Sequence, residues 1–158
     1  MEKLLKIPYA VFNDWDLLQQ FLERRGNPRY ELVGNVRLDK RKDIFNLGNL
    51  VRVDGNLDLI GCQIKSLGNL EYVGGYLDLH DSSIQSLGNL EYVGKGLYLH
   101  DTPIQSLGNL EYVGGHLSLY KTPIQSFGNL QYVGDIIILS EDHQITKEQL
   151  TKFKIKYL

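Results

Sequence analysis

Ile84-Gln-Ser-Leu-Gly-Asn-Leu-Glu-Tyr-Val-Gly-Lys-Gly-Leu-Tyr-Leu-His-Asp-Thr-Pro103 decides the fold, because the chain repeats this stretch at a period of twenty residues. The next copy begins at Ile104, earlier copies begin at Ile44 and Ile64, and the last begins at Ile124. Self-similarity at a fixed period of this length predicts a solenoid, in which each unit stacks on the one before it. Such arrays build extended surfaces, so the repeat predicts architecture more directly than chemistry.

Each unit contains a short segment that is apolar at alternate residues, which is the period of a β-strand. The alternating pairs are Val36/Leu38, Leu57/Leu59, Leu77/Leu79, Leu97/Leu99, Leu117/Leu119 and Ile137/Leu139. They predict an α/β solenoid with one curved parallel sheet of about six short strands. The other apolar residues of a unit, such as Ile84, Leu87, Leu90 and Val93, are expected to point inward. Twenty residues leave little room for a helix, so the convex side is predicted to be irregular, with turns, 3₁₀ helix or extended backbone.

Both ends of the array are predicted to carry caps, because an uncovered terminal unit would expose its apolar layer to water. Residues 1–34 form the predicted N-terminal cap, with one amphipathic helix over residues 14–25 and Asn13 as its N-cap. Residues 35–140 form the predicted repeat domain, and residues 141–158 the C-terminal cap. Thr146 and Gln149 have the spacing of a capping box. The final residues alternate like a strand but also fit a helical spacing, so both forms stay open.

The 158-residue chain has the size of a single domain, and 42% of its residues are apolar, as in globular proteins. Its net charge of −2 gives no electrostatic footprint for nucleic acid or for an anionic membrane, so neither partner is expected. The single cysteine, Cys62, can form no disulfide within the chain. Neither a signal peptide nor an apolar run of about 18 residues is recognised, so the expected location is the cytoplasm.

The spacing Leu97-x-Leu99-x-x-Thr102-x-Ile104-x-x-Leu107 resembles the leucine-rich repeat, whose pattern is L-x-L-x-x-N/C-x-L. The resemblance covers about residues 35–140, and the constant spacing of the units makes it specific. The unit length is similar to that of short bacterial-type repeats, and the Ser-Leu-Gly-Asn-Leu motif resembles small repeat proteins of phages, large viruses and some bacteria. The chain departs from the family at the Asn/Cys position, which is Cys62, Ser82, Thr102 and Thr122. The resemblance implies binding, and no catalytic activity is carried over from bacterial effectors with an appended enzyme domain.

Comparison of the units with one another separates positions that the fold requires from positions that a partner can use. The constant set includes Gly48, Gly68, Gly88, Gly108 and Gly128, the asparagine after each of them, and Tyr72, Tyr92, Tyr112 and Tyr132. The glycines predict a positive φ or close packing between coils. The asparagines are expected to point inward and bond the next coil. The tyrosines, with Arg52 in the same position of the first copy, predict a stacked column.

The variable positions lie on the strands, on the concave face that the alternation directs away from the core. The predicted partner-binding residues on this face are Asp58, Tyr76, Asp78, His80, Tyr98, His100, His116, Ser118 and Tyr120. Aromatic side chains on a rigid sheet bury much area at a small entropic cost, which favours protein recognition. The alternative is that exposed strand positions favour tyrosine and threonine whether or not a partner binds.

The residues of the chain do not favour metal binding or catalysis. His80 and His100 are equivalent residues in adjacent units, and with Asp78 they resemble a metal-binding set, but copying of a unit gives the same pattern. No metal and no cofactor are therefore predicted. Cys62 occupies a buried turn position of the family, and the Gly-Gly pairs lack the following helix that a dinucleotide fingerprint requires. The sequence predicts no catalytic residue and no enzyme.

The favoured function is a non-enzymatic module that binds a protein partner through the concave face of the solenoid. The resemblance to viral repeats implies a host factor as that partner, including a defence protein. Ile136 and Ile138 make the last strand apolar on both faces, so either the C-terminal segment or a second copy of the chain is expected to cover them. The second case is a homodimer. A glycan-binding module would use the same Tyr and Asp residues and stays open.

Overall fold

The computed structural model describes residues 3–158 and is a parallel β-solenoid of about six turns with short caps, which confirms the predicted fold class. Two parallel sheets run along the array. Sheet A contains β1 (Leu5–Pro8), β2 (Tyr30–Val33), β4 (Leu50–Val53), β6 (Tyr72–Val73), β8 (Tyr92–Val93), β10 (Tyr112–Val113) and β12 (Tyr132–Val133), in that spatial order. Sheet B contains β3 (Val36–Arg37), β5 (Leu57–Asp58), β7 (Leu77–Asp78), β9 (Leu97–Tyr98), β11 (Leu117–Ser118), β13 (Ile136–Leu139) and β14 (Lys154–Tyr157). The helices are α1 (Tyr9–Phe12), α2 (Trp15–Glu23) and α3 (Lys147–Leu150).

Sheet B contains the six predicted strands and a seventh from the C-terminal segment. From β5 to β13, neighbouring strands pair in register at the twenty-residue period, so that Leu77 lies between Leu57 and Leu97. The inward residue of each of the six predicted strands is fully buried, whereas the next residue is partly exposed in most of them. The period-two alternation of the sequence therefore separates the core from the outer face of this sheet.

Sheet A occupies the return path, where irregular backbone was predicted. Strands β6, β8, β10 and β12 are only two residues long, Tyr followed by Val, and the dipeptides of adjacent coils pair with one another. The valine points into the core and the tyrosine lies on the outer surface. Extended backbone was one of the expected forms, and hydrogen bonding between coils converts it into a second sheet.

The core lies between the two sheets and consists almost entirely of aliphatic side chains. Each interior coil contributes the same six residues, for example Ile84, Leu87, Leu90, Val93, Leu97 and Leu99, of which Leu87 is 2% exposed and the others are fully buried. Burial of an aliphatic side chain of this size contributes about 1.5–3 kcal/mol, so identical layers stabilise the array additively from coil to coil.

The tyrosine column stacks as predicted. Consecutive rings from Tyr72 to Tyr132 have centroids 4.7, 4.6 and 4.8 Å apart and lie within 13° of parallel. The guanidinium of Arg52 lies 3.9 Å from the centroid of the first ring and continues the column. The rings cover the outer surface of sheet A. Their packing between coils explains why tyrosine is constant at this position of the repeat.

The asparagine prediction is wrong in its direction. Asn69, Asn89, Asn109 and Asn129 are exposed, because the buried leucines on either side of the Gly-Asn pair already fill the core. Some of these side chains still bond the preceding coil: the Asn109 amide donates to the carbonyl of Gly88 at 3.2 Å. The glycine before each asparagine has a positive φ of 53–61°, as predicted, and it turns the chain outward there.

The N-terminal cap is the amphipathic helix α2, which ends two residues earlier than predicted. Its N-cap is Asp14, whose carboxylate accepts from the N–H of Leu17 at 3.0 Å, whereas Asn13 has a left-handed φ of 45° that a helix N-cap does not take. Leu18 and Leu22 of α2 are buried against the first coil. The Tyr30 hydroxyl donates to the carbonyl of Leu47 at 2.9 Å, and burial raises the pKa of that phenol.

The C-terminal cap contains half of the predicted capping box, because the Gln149 side-chain oxygen accepts from the N–H of Phe127 at 2.8 Å instead of from that of Thr146. The last residues of the cap are a strand. The side chain of Thr146 accepts from the N–H of Gln149 at the start of α3. The ring of Phe153 packs edge-on against Phe127, with centroids 5.7 Å apart. Strand β14 then pairs with β13 along the edge of sheet B. The open choice between helix and strand is thereby settled by hydrogen bonding to the array.

Candidate functional site

The predicted binding residues lie on or beside one surface, the outer face of sheet B, which we call the B face. A central row crosses the sheet in register. It consists of Arg37, Asp58, Asp78, Tyr98, Ser118, Ile138 and Lys156. Residues two positions before and after this row flank it, so that Tyr76 and His116 lie on one side and His80, His100 and Tyr120 on the other. Parallel pairing with no slip places equivalent residues of adjacent coils side by side.

The acidic end of the B face is organised by one arginine. The guanidinium of Arg37 lies 2.8 Å from a carboxylate oxygen of Asp39 and 3.7 Å from one of Asp58. The hydrogen bond from Arg37 lowers the pKa of the Asp39 carboxyl. Burial instead raises the pKa of Asp58, although its carboxylate accepts from the N–H of Ile60 at 3.1 Å. This end therefore presents carboxylates with a cation at the margin of the sheet.

The two central histidines stack on each other. The ring centroids of His80 and His100 are 4.5 Å apart and the rings are within 10° of parallel. The Nδ1 of His80 donates to the carboxylate of Asp78 at 2.6 Å, which fixes the orientation of the first ring. The Nδ1 of His100 lies 3.4 Å from the hydroxyl oxygen of Ser118, which is only 6% exposed. The pair forms a flat and partly buried platform on the B face.

The two tyrosines of the B face stack diagonally between coils. Tyr76 lies on the flank of the B face, and Tyr98 lies in the central row of the next coil. Their ring centroids are 6.1 Å apart. Gly96 allows this arrangement, because a Cβ at that residue would lie 2.7 Å from the hydroxyl oxygen of Tyr98. Burial raises the pKa of the Tyr98 phenol. Lys95 lies above the ring of Tyr76 at 5.5 Å and adds a cation to the edge of the platform.

The far end of the B face is more apolar. Ile136 and Ile138 are half-buried, and strand β14 places Lys154 and Lys156 beside them in register. The C-terminal segment thus lies next to these isoleucines along the sheet rather than above them. His116 lies 3.5 Å from a carboxylate oxygen of Asp135, and Lys121 lies 5.3 Å from the ring of Tyr120.

The sequence did not identify the residues that fix these side chains. Gly96, Lys95, Lys121 and Asp135 were not among the predicted site residues, yet each contacts or makes room for one of them. One signal was available for two of the four. Lys95 and Asp135 each replace the second glycine of the repeated Gly-Gly pair, so their coils differ at the entrance to the strand. A residue that departs from the repeat beside the B face therefore indicates a candidate site residue, as a variable residue on the face does.

Metal chemistry has little geometric support on this face. Among residues 3–158, His, Cys, Asp and Glu side chains form no group of three or more that could hold a metal ion. The histidine pair explains this, since its rings stack face to face and the nearest carboxylate is already bound to His80. Ring nitrogens of stacked imidazoles lie in parallel planes and do not converge on one point.

Cys62 is buried in the turn after sheet B, at 1% exposure. Its thiol donates to the carbonyl of Leu38 at 3.0 Å, a contact between adjacent coils. Burial raises the pKa of the thiol, so the thiolate that would act as a nucleophile is disfavoured in the folded chain. The expected structural role of this cysteine agrees with its surroundings.

Alkylation of Cys62 by iodoacetamide at pH 8 is expected to be at least about a hundredfold slower in the folded protein than in the unfolded chain. Labelling requires an opening of the array, which costs at least about 3 kcal/mol in a packed core. The raised thiol pKa slows the reaction further, because less thiolate is present at this pH. Intact-mass measurement over time, with and without denaturant, gives both rates. Equal rates would show that the thiol is accessible.

Three comparisons set the chain against known proteins. No family model matches it, no curated protein matches it and no solved structure matches it. Among residues 3–158, no helix has both the length and the apolar character that crossing a lipid bilayer requires. The function must therefore be inferred from the geometry of the faces.

Proposed function

We propose that the chain is a non-enzymatic protein-binding module of the leucine-rich-repeat type, and that it binds a protein partner across the B face. One observation carries this proposal. The outer surface of sheet A shows the same tyrosine in four consecutive coils, whereas the outer surface of sheet B changes from coil to coil. Stacking between coils explains why the tyrosine of sheet A is constant. It does not explain why the side chains of the B face differ from coil to coil.

The composition of the B face suits recognition of a protein. Tyr and His side chains are concentrated at its centre, where they are already ordered by stacking on each other. Ordered aromatic side chains on a hydrogen-bonded sheet lose little conformational entropy when a partner binds. The B face is acidic around Asp58 and more apolar around Ile138, so its two ends differ in chemistry. A matching partner would present cationic groups at one end and apolar groups at the other.

The same geometry supports binding without catalysis. Among the side-chain hydrogen bonds of residues 3–158, the contact that resembles a nucleophile and base is that between Ser118 and His100, at 3.4 Å. Ser118 is nearly inaccessible, and the N–H groups of the strands on both sides of it are used in sheet pairing. A nucleophile needs substrate access and nearby free donors for the developing oxyanion. Cys62 is buried as well.

Replacement of Tyr76, Tyr98 and Tyr120 together by alanine is expected to weaken partner binding at least about thirtyfold. One aromatic hot spot is worth about 2 kcal/mol, which corresponds to that factor. The measurement is capture of the partner from a lysate by the immobilised protein, followed by titration with the purified partner. Because the resemblance is to phage and viral repeats, bacterial and other host lysates are the first to be tested.

The matched control replaces Gln85, Gln105 and Gln125, which are exposed outside the B face, by alanine. This variant is expected to bind as the original chain does, and circular dichroism should show that both variants fold. Equal loss of binding in the two variants, or full binding by the tyrosine variant, would remove the B face as the site. If the original chain binds a carbohydrate on a glycan array and the tyrosine variant does not, the B face is assigned to glycan binding instead.

Self-association is a second proposal, and the isoleucines of β13 favour it. Ile136 and Ile138 remain half-buried in the single chain, and a second copy could complete their burial. Light scattering on the purified protein tests it, with Ile136→Ser as the comparison. A monomer across the full range of concentrations would discard the homodimer.

A further inference from the structure

The two sheets end differently at the C-terminal side of the array. Sheet B is continued past its last coil by β14, which pairs with β13 over four residues. Sheet A ends at β12, and no described residue pairs with the far edge of that strand. A free edge offers unpaired backbone groups to any extended segment that fits.

The groups left free can be identified from the interior coils. The carbonyls of Val73, Val93 and Val113 accept from the glycine N–H of the following coil, at 2.8, 2.9 and 2.8 Å. The carbonyl of Glu111 accepts in the same way from Gln131 and Tyr132. No coil follows residues 131–134, so the equivalent carbonyls of Gln131 and Val133 accept no backbone hydrogen bond from the part of the chain that the structure describes.

The tyrosine column is open on the same side. Tyr92 and Tyr112 have a ring on each side, whereas Tyr132 stacks on Tyr112 alone among the described residues and is 48% exposed. A further ring about 5 Å beyond Tyr132 would continue the column with the spacing already present. Stacked aromatic pairs contribute beyond the area that they bury, so this free ring face is a specific contact point.

A groove runs beside this edge, between residues 131–135 on one wall and residues 152–154 on the other. Lys152 and Lys154 are exposed on the second wall. On the first wall, Gln131 replaces the glutamate found at Glu71, Glu91 and Glu111. An acidic side chain entering beside Gln131 would therefore lie next to an uncharged side chain, in a groove lined by two ammonium groups, Lys152 and Lys154, and by one carboxylate, Asp135.

We propose that this groove binds an extended segment of a partner protein with the pattern acidic, aromatic, β-branched, such as Glu-Tyr-Val. The segment adds to β12 as a parallel strand of sheet A, by β-augmentation. The structure contains this arrangement already, where Glu-Tyr-Val of residues 91–93 pairs with β6 and that of residues 111–113 pairs with β8. The site lies on sheet A and does not depend on the function proposed for the B face.

A second folded copy is a poorer occupant than a flexible segment. Its own Glu-Tyr-Val strands are already paired on both sides within sheet A. Its other exposed edge of that sheet, β1, ends at Pro8, which has no N–H to donate. An unfolded or extended segment can supply both the donors and the ring.

Titration of the ¹⁵N-labelled full chain with a capped peptide of residues 110–115, Leu-Glu-Tyr-Val-Gly-Gly, tests the proposal. Amide resonances of residues 131–135 and 152–154 are expected to shift, and those of Asp58, Tyr98 and Ser118 on the B face are not. The same peptide with serine in place of tyrosine should bind about tenfold more weakly. Unchanged resonances at residues 131–135, or equal binding of the two peptides, would overturn the proposal. Shifts of these resonances with protein concentration alone would assign the edge to a second copy.

A charge exchange makes the test sharper. The double variant Lys152→Glu and Lys154→Glu should lose affinity for the glutamate peptide and regain it for a peptide with lysine in that position. The matched control, Lys42→Glu with Lys65→Glu, reverses two exposed charges outside the groove and should bind the original peptide unchanged. Equal effects of the two double variants would mean that net charge, rather than the groove, governs binding.

Discussion

Leu97→Ala is expected to lower the free energy of unfolding by about 3–5 kcal/mol. Leu97 is fully buried and lies in register between Leu77 and Leu117, at the centre of sheet B. Its neighbours are held by hydrogen bonds to coils on both sides, so they cannot move in to fill the space. The lost burial and the remaining cavity then add to each other.

Urea unfolding followed by circular dichroism measures this loss, with Leu17→Ala as the matched control. Leu17 lies on α2 and is 53% exposed, so the same truncation there should change stability by no more than about 0.5 kcal/mol. Similar losses in the two variants would contradict the buried position of Leu97.

Gly114→Ala is expected to destabilise the chain by about 2–3 kcal/mol, although it adds only one methyl group. A Cβ at residue 114 would lie far inside van der Waals contact with the carbonyl oxygen of Gly94 in the preceding coil. That carbonyl belongs to the backbone and cannot swing aside. Gly74, Gly94 and Gly134 are in the same situation, so the column of glycines sets the separation of the coils.

The adjacent variant Gly115→Ala is the control, and its expected loss is below about 1 kcal/mol. A Cβ at residue 115 would lie 3.2 Å from the nearest backbone atoms, which a small shift can relieve. The equivalent residues in two other coils are Lys95 and Asp135, so side chains are accepted at this position. Thermal and urea unfolding of the two variants give the comparison. If both lose the same stability, the contact with Gly94 is not what requires glycine at residue 114.

The strands of sheet B could be predicted because their signal is repeated in every unit. One pair such as Leu97 and Leu99 is weak, but six pairs at constant spacing specify both the strands and their register. Sheet A could not be predicted as a sheet, since a two-residue strand such as Tyr92–Val93 has no alternation to detect. Only pairing between coils makes it a strand. Strands β1 and β2 were missed for a related reason, because the sequence before Val36 does not follow the period.

The residues of the candidate face could be predicted from alternation, but their contacts could not. The diagonal stack of Tyr76 on Tyr98 depends on the space above Gly96, and the hydrogen bond from His80 to Asp78 depends on side-chain rotamers. The asparagine prediction failed because constancy was taken to mean burial. Asn89 is constant for its place in a tight turn after a glycine of positive φ, and that place is exposed.

The placement of aromatic residues gives this molecule two separate optical reporters. The only tryptophan, Trp15, is buried in the N-terminal cap, whereas parallel tyrosine rings run along the array from residue 72 to residue 132. Tryptophan fluorescence therefore follows the cap, and near-ultraviolet circular dichroism of the stacked rings follows the coils. Coincident transitions of the two signals indicate unfolding in one step, and separated transitions indicate that cap and array melt independently.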